Sequence, residues 1–222
     1  MKRMVKTNWL VLVLFFCADI QSLTAQTIKD VFTSSETSIL YLGIDFTQAR
    51  LINDPSQMGI DVRDKYFPGI NALVINEPKK YDLQAAFHKK LINNSLGIVT
   101  KRNKAINAEN IESTEPADYR RLKEEDINKL VSGIDFEKKT GIGLLFIVEG
   151  MKKGVNRGDN GNSSLWVTFV DMGANKVLMT ERMDGISSGG FSFRNFWANT
   201  IYDVIETIDK KKYKEWKRKY GG

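Results

Sequence analysis

This sequence contains one cysteine and one histidine, and their scarcity excludes several classes of chemistry. Cys17 lies in an apolar segment near the N-terminus. The chain after it therefore has no thiol for a disulfide, a cysteine nucleophile, a redox pair or a zinc–thiolate site. His88 stands alone, whereas a zinc site normally takes several histidine or cysteine ligands. We therefore expect no metal site and no bound cofactor.

The first residues lack the length of a membrane span but have the layout of an export signal. The apolar run Trp9–Ala18 has about ten residues, whereas a spanning helix needs about twenty. Basic residues precede this run, namely Lys2, Arg3 and Lys6. Small residues follow it and end at Ala25, the preferred cleavage position. This layout predicts a secretory signal peptide over residues 1–25.

An export signal places the mature protein outside the cytoplasm. Lipid attachment at Cys17 is the weaker alternative, because the bulky Phe16 precedes the cysteine where a small residue is needed. An exported chain of this size without cysteine is typical of a bacterial envelope. The expected location is therefore periplasmic or extracellular.

The charge is modest and concentrated in one segment. The chain has 33 basic and 27 acidic residues, a net charge of +6, and loss of the leader leaves +4. Much of this excess lies between Lys210 and Lys219. A basic face spread over the domain is absent, so we expect no nucleic-acid partner. Length and composition predict one domain over 26–209, followed by a basic tail over 210–222.

Hydrophobic periodicity predicts an α/β fold. Strands are predicted over 38–46, 96–106, 140–149, 165–170 and 176–182. Helices are predicted around Pro68, after Asp82, over 122–131 and over 193–208. Connecting segments are predicted over 108–117, 151–163, 171–175 and 185–192. This order predicts a single mixed sheet of about four to six strands with helices on its faces and a C-terminal β-hairpin.

Two patterns raise the question of catalysis. Residues 185–189 match the G-x-S-x-G nucleophile elbow, but no histidine follows the serine, so the serine lacks its base. A flexible glycine loop is the preferred interpretation. Three acids, Asp45, Glu149 and Asp171, lie in or at the ends of apolar strands, and two of them brought together could cleave glycosides. The alternative is that such acids mark where a strand meets solvent or cap a helix.

Two further segments are candidate binding sites. Gly189 and Gly190 precede a predicted helix whose first turn contains Arg194, a geometry that favours an anion; the alternative is a plain connection. The C-terminal segment places aromatic side chains at helical spacing among basic residues. Its candidate residues for a membrane or a partner are Lys211, Lys212, Tyr213, Trp216, Lys217, Arg218 and Tyr220. Such a segment binds anionic surfaces, or its aromatic residues fold back onto the domain.

Three segments carry a resemblance: Ile39–Phe46, Gly143–Met151 and Phe193–Ala198. Together they resemble exported bacterial envelope proteins of unassigned function. The strand–hairpin–helix order is also similar to small periplasmic α/β domains of envelope-assembly lipoproteins. Those lipoproteins carry a lipidated cysteine after the leader, and Cys17 is not a convincing match for it, which argues against an outer-membrane tether. The resemblance implies a binding role and transfers no catalytic residue.

These observations lead to one main hypothesis and two alternatives. The main hypothesis is an exported, non-enzymatic domain that binds another envelope component, preferably a protein. The first alternative is a glycan-acting hydrolase that uses paired carboxylates, with Glu149 as the first candidate. The second is peripheral association with an anionic membrane surface through the basic aromatic tail.

Overall fold

A computed structural model describes residues 27–154, 156 and 158–222, and the predicted signal peptide lies outside this range. The chain forms a mixed sheet of seven strands with helices on both faces. The strands are β1 (Ile39–Asp45), β2 (Arg50–Ile52), β3 (Ile92–Asn94), β4 (Glu112–Ser113), β5 (Ile142–Lys153), β6 (Gly161–Asp171) and β7 (Lys176–Ser187). The predicted fold class is confirmed, with one strand more than the upper end of the predicted range.

Two pairs of α-helices are each joined end to end by a π-helical turn, and the other helices are separate and short. The α-helices are α1 (Ile28–Thr33), α2 (Gly59–Asp61), α3 (Phe67–Asn76), α4 (Leu83–Ala86), α5 (Gly97–Lys104), α6 (Glu124–Ser132), α7 (Phe193–Thr207) and α8 (Tyr213–Tyr220). A π-helical turn, Val62–Tyr66, joins α2 to α3, and another, Ile208–Lys212, joins α7 to α8. Among the helices of the described residues, none has the length and hydropathy needed to span a bilayer.

The sheet is organised around the long strand β5. Strands β1 and β2 both pair in parallel with the same edge of β5, β1 along its first half and β2 along its second half. β3 lies outside β1 and β4 lies outside β2, so this side of the sheet has two tiers. On the other edge of β5, β6 and β7 follow as antiparallel neighbours, which confirms the predicted hairpin.

Each face of the sheet has its own hydrophobic core. The larger core lies under α1, α3, α4, α7 and α8. The smaller core lies under α5 and α6. The first ten residues of β5 are all buried, because both faces of this strand are covered. The continuous apolar pattern of the central strand is the expected signature of that environment.

The strand predicted over 96–106 is wrong, because this segment forms α5. Ile98 and Val99 are buried in the smaller core, and Asn103 is buried one turn later. The Asn103 side chain accepts from Phe46 N at 2.8 Å and donates to Ile44 O at 2.9 Å. Alternation of Ile98 with Thr100 suggested a strand, but these tertiary contacts need a helix.

The loops predicted over 151–163 and 185–192 are shorter than expected. β5 continues to Lys153, β6 begins at Gly161, and β7 continues to Ser187. The glycines in these segments suggested turns, but two of them, Gly161 and Gly185, lie in strands and permit close packing. A methyl group at Gly161 would meet the Phe196 ring at 2.4 Å, and a methyl group at Gly185 would meet the Thr200 carbonyl.

Candidate functional site

The strands β2, β5 and β7 end at the same end of the sheet, so the segments that follow them lie close together. Ile52 of β2 pairs with Lys152 near the end of β5, and Gly161 of β6 pairs with Ser187 at the end of β7. The segments 53–58 and 188–192 therefore lie side by side, and we call them the loop end. Carboxyl ends of parallel strands are the usual place for binding sites in α/β sheets.

The loop end contains one buried carboxylate, that of Asp54. Asp54 is 5% exposed and accepts a hydrogen bond from Trp197 Nε1 at 3.3 Å. The ammonium group of Lys153 lies 3.6 Å from the same carboxylate. The preceding residue, Asn53, has φ +57°, a conformation that asparagine tolerates better than most residues.

Two cavities open around Asp54. The first holds about 250 Å³, and its walls include Lys153, Phe191 and Phe196. The Lys153 ammonium group lies 5.3 Å from the centre of the Phe196 ring, within range of a cation–π interaction. The second cavity holds about 400 Å³ and is lined by Asp54 together with residues of β2 and β4.

Phe191 is the most exposed large apolar side chain of the described residues, with a relative exposure of 108%. Met58, on the other segment of the loop end, is 65% exposed. Large apolar side chains are normally buried in a monomer, and contiguous exposed apolar patches often mark interaction sites. The loop end therefore presents two apolar side chains to solvent beside the ion pair of the buried Asp54 with the partly exposed Lys153.

The segment that carries Phe191 is anchored on both sides. Gly189 O accepts hydrogen bonds from Asn199 Nδ2 at 2.7 Å and from Ser187 Oγ at 3.1 Å. Gly190 packs so closely that a methyl group there would come within 2.7 Å of the Phe196 backbone. On the other side of Phe191, Ser192 caps α7, because its Oγ accepts from Asn195 N at 3.3 Å. The loop therefore holds Phe191 in place while leaving its ring in solvent.

The predicted anion site falls within this loop. The structure places Gly190 against the first turn of α7, but Ser192 already occupies one of the free N–H groups there. Gly189 directs its carbonyl into the loop's own hydrogen bonds. The exposed Arg194 donates to Asn195 Oδ1 at 3.2 Å, and its aliphatic stem lies against Gly69 of α3. The glycines and the arginine are thus near one another but engaged with protein groups.

The acids predicted as a possible catalytic pair are engaged in ion pairs. Asp45 is fully buried, and its carboxylate lies 2.7 Å from Arg102 Nε. Glu149 is also fully buried and accepts from Arg182 Nε at 2.6 Å and from Ser164 Oγ at 2.7 Å. Both carboxylates are thus buried and already engaged by protein donors, so neither faces a site where a substrate could bind.

Asp171 and the serine of the G-x-S-x-G pattern have local roles. Asp171 closes the β6–β7 turn, because its Oδ1 accepts from Gly173 N at 2.9 Å and from Ala174 N at 3.1 Å. It lies opposite Ile142, at the far end of β5 from the loop end. Ser187 is 1% exposed at the end of β7, whereas a nucleophile elbow exposes its serine.

The predicted binding tail is a helix packed against the domain. Tyr213 is 7% exposed and stacks on His88 with ring centres 4.0 Å apart. Trp216 is 1% exposed and donates to Glu181, and Tyr220 stacks on Phe32. The candidate residues that stay exposed are Lys211, Lys217 and Arg218, whereas Lys212 is partly buried and pairs with Glu181 and Glu215.

Burial changes the acidity of several groups in this structure. Burial lowers the pKa of Lys89 to about 8, and its ammonium group donates to Ser34 O at 2.6 Å and to Val31 O. Burial also lowers the pKa of Arg121, and the positive charge of the nearby Arg50 lowers it further.

Sequence reasoning missed the main residues of the loop end. Asp54 was not among the predicted site residues, since nothing local in the sequence indicates contact with Lys153 or Trp197. Phe191 did carry a signal that went unused, namely an aromatic residue after two glycines in a segment expected to be a loop. Such a residue has no neighbouring element to pack against and is a candidate contact.

No family model matches this chain, and no curated protein matches it. Among solved structures, the chain is similar to the lipoprotein GNA1162 of Neisseria meningitidis, with 16% identity, coverage of 79% of this chain and 99% of that one, and a TM-score of 0.32. It is similar to the hypothetical protein CT253 of Chlamydia trachomatis, with 10% identity, coverage of 84% and 96%, and a TM-score of 0.32.

A third similar structure is a putative neuraminyllactose-binding hemagglutinin homolog from Helicobacter pylori. Its identity is 10%, the coverage is 85% of this chain and 91% of that one, and the TM-score is 0.33. All three are bacterial proteins, and one is named a lipoprotein. At TM-scores of 0.32 to 0.33 the likeness assigns neither a family nor a function.

Proposed function

We propose that this chain is a non-enzymatic binding domain of a bacterial envelope and that it contacts a protein partner through the loop end. The observation that carries this proposal is the full exposure of Phe191 on a loop that is anchored on both sides. The leader-like N-terminal segment supports an exported location. The engaged carboxylates Asp45 and Glu149 support a binding role over hydrolysis.

The side chains at the loop end are those that protein interfaces use. Aromatic residues and methionine are enriched at interface cores, and a few such residues carry most of the binding energy. Phe191 and Met58 provide one of each. Asp54 is the one charged residue in the two segments of the loop end, and it is buried beside the partly exposed Lys153. This composition favours a protein partner over an anionic polymer.

Anchoring of the Phe191 loop lowers the entropic cost of binding. An immobilised side chain or loop costs about 0.5–1.5 kcal/mol when it has to be ordered on association. Here the hydrogen bonds on Gly189 O and the cap at Ser192 already order the backbone. The cavity beside Phe191 gives a partner side chain a place to enter between Lys153 and Phe196.

Site-directed photo-crosslinking in cells tests this proposal. A photoreactive phenylalanine replaces Met58, which leaves Phe191 intact, and the same group replaces Leu91 as a control. Leu91 is 58% exposed but precedes β3, which lies beside the start of β1, whereas the loop end lies at the other end of β5. We expect one discrete protein adduct from position 58 and none from position 91.

A Phe191→Ser variant completes the test. Because Phe191 is fully exposed, its replacement is expected to change the free energy of unfolding by no more than about 0.5 kcal/mol. The adduct from position 58 is expected to disappear in this variant. An adduct that persists at full yield in the folded Phe191→Ser protein, or equal adducts from positions 58 and 91, would refute the loop end as the contact surface.

A further inference from the structure

A third cavity lies away from the loop end, on the other tier of the sheet. It holds about 270 Å³ between β1, β3 and the segment from the end of α3 to the start of α4. Its lining combines polar groups with apolar side chains, which include Val74, Leu83 and Ile92. Its mouth carries exposed polar side chains, namely Lys79, Asp82, Gln84 and Asn94.

One buried polar group at this cavity lacks a partner within the part of the chain that the structure describes. Tyr41 of β1 lines the cavity and is fully buried, and its hydroxyl has no hydrogen-bond partner among the described residues. Buried polar groups are almost always paired, and an unpaired one destabilises a fold. By contrast Tyr81, which lines the same cavity, donates its hydroxyl to Ala198 O at 3.4 Å.

We propose that this cavity binds a small uncharged molecule of about one ring in size, whose oxygen accepts a hydrogen bond from the Tyr41 hydroxyl. The site is separate from the loop end and does not depend on the function proposed above. The apolar walls hold the ring, and the hydroxyl selects for the acceptor.

The chemistry of Tyr41 determines which partner it takes. Burial raises the pKa of the Tyr41 hydroxyl, and no charged side chain contributes to this shift. The hydroxyl therefore keeps its proton and donates, so the ligand supplies an acceptor such as a carbonyl, ether or alcohol oxygen. A charged ligand would find no opposite charge at this depth and would lose its hydration.

The size of the cavity limits the ligand. A dry apolar cavity of about 150 Å³ holds benzene, and pockets for drug-sized ligands begin at about 300 Å³. A volume of 270 Å³ lies between these values and fits one ring with a short substituent. The exposed polar side chains at the mouth stay in contact with water, so the ligand enters the cavity past hydrated groups.

Two probe molecules of equal shape test the proposal. Acetophenone and isopropylbenzene both carry a three-atom branched group on one ring, but only acetophenone has an acceptor oxygen. Binding of each is measured by NMR titration on the parent, on Tyr41→Phe and on Tyr81→Phe. Tyr81→Phe is the matched control, because it removes a hydroxyl from the same cavity that is already paired.

We expect acetophenone to bind the parent about three- to tenfold more tightly than Tyr41→Phe, the range that one net hydrogen bond provides. Isopropylbenzene is expected to bind both proteins equally, and Tyr81→Phe is expected to keep the parent's preference for acetophenone. Equal affinity of acetophenone for the parent and Tyr41→Phe would overturn the proposal, as would the absence of binding by both probes.

The unliganded protein gives an independent readout. If the Tyr41 hydroxyl is unpaired, Tyr41→Phe has the same thermal midpoint as the parent or a higher one, whereas Tyr81→Phe has a lower one. A fall in the midpoint of Tyr41→Phe as large as that of Tyr81→Phe would show that water alone already satisfies the hydroxyl, and this result also overturns the proposal.

Discussion

Replacement of Glu149 by glutamine tests whether this acid holds the fold together. The carboxylate is fully buried and accepts hydrogen bonds from Arg182 Nε at 2.6 Å, Ser164 Oγ at 2.7 Å and Leu122 N at 2.9 Å. A glutamine oxygen can serve Ser164 and Arg182, but its NH₂ group then faces the N–H of Leu122, donor against donor. The substitution also leaves the charge of Arg182 without its partner.

The size of the effect follows from burial. Breaking a buried ion pair from one side costs about 3–5 kcal/mol. The Arg182 side chain is 27% exposed and also lies over the Trp166 ring at 4.6 Å, which reduces the penalty. We therefore expect Glu149→Gln to lower the free energy of unfolding by about 2–4 kcal/mol, or the thermal midpoint by about 5–15 °C.

Urea denaturation of a set of variants measures this effect and separates it from general damage. Glu36→Gln is the control, because Glu36 pairs with Lys90 at 2.7 Å while both side chains are more than half exposed, and it is expected to change stability by less than about 1 kcal/mol. Glu149→Gln is also made in an Arg182→Met variant. There it is expected to lower the free energy of unfolding by at least about 1 kcal/mol less than it does in the parent. A Glu149→Gln protein as stable as the parent would refute this reasoning and restore Glu149 as a free acid.

Two further predictions concern buried positions elsewhere in the fold. The pKa of Lys89 is lowered to about 8 by burial, so the unfolded chain binds the proton more tightly, and between pH 8 and 10 stability is expected to rise with pH by about 1–2 kcal/mol from this group. Lys89→Met should remove that rise in urea titrations at each pH, whereas Lys211→Met at an exposed position should keep it; an identical pH slope in Lys89→Met would contradict the assignment. Gly43→Ala is expected to destabilise by at least about 2 kcal/mol, because Gly43 has φ +103° and a methyl group there would meet Val99 at 2.7 Å. Gly97→Ala, which meets nothing within 4 Å at the start of α5, should be neutral or stabilising, and equal midpoints for the two variants would show the packing at Gly43 to be misassigned.

The sequence predicted the long elements because their patterns are strong and local. β5 is continuously apolar and α7 repeats its apolar residues with the helical period, so both were found close to their observed bounds. The segment that became α5 was assigned wrongly because its helix is specified from outside. Asn103 forms hydrogen bonds with Phe46 N and Ile44 O at the end of β1, which lie 57 and 59 residues away along the chain. Short-range alternation could not indicate that partner.

The candidate sites were harder to predict than the fold. Asp54 gains its environment from Trp197, which is 143 residues away along the chain. Glu149 could be identified as a buried acid, but Arg182 was not identified as its partner. Tyr41 lies in an apolar strand in which no pattern shows that its hydroxyl is unpaired. These features depend on which side chains meet, and one sequence alone does not give that information.

The packing of α8 against α1 joins two helices that leave the ribosome far apart in time. Phe32 contacts Trp216 with ring centres 6.1 Å apart, and Gly221 lies against Thr33. Before α8 is synthesised, Phe32 can pack on Phe169 of β6 but not on Trp216 or Tyr220. The larger core is therefore completed only once α8 has docked, and a chain stalled before Tyr213 would leave this part of the core open.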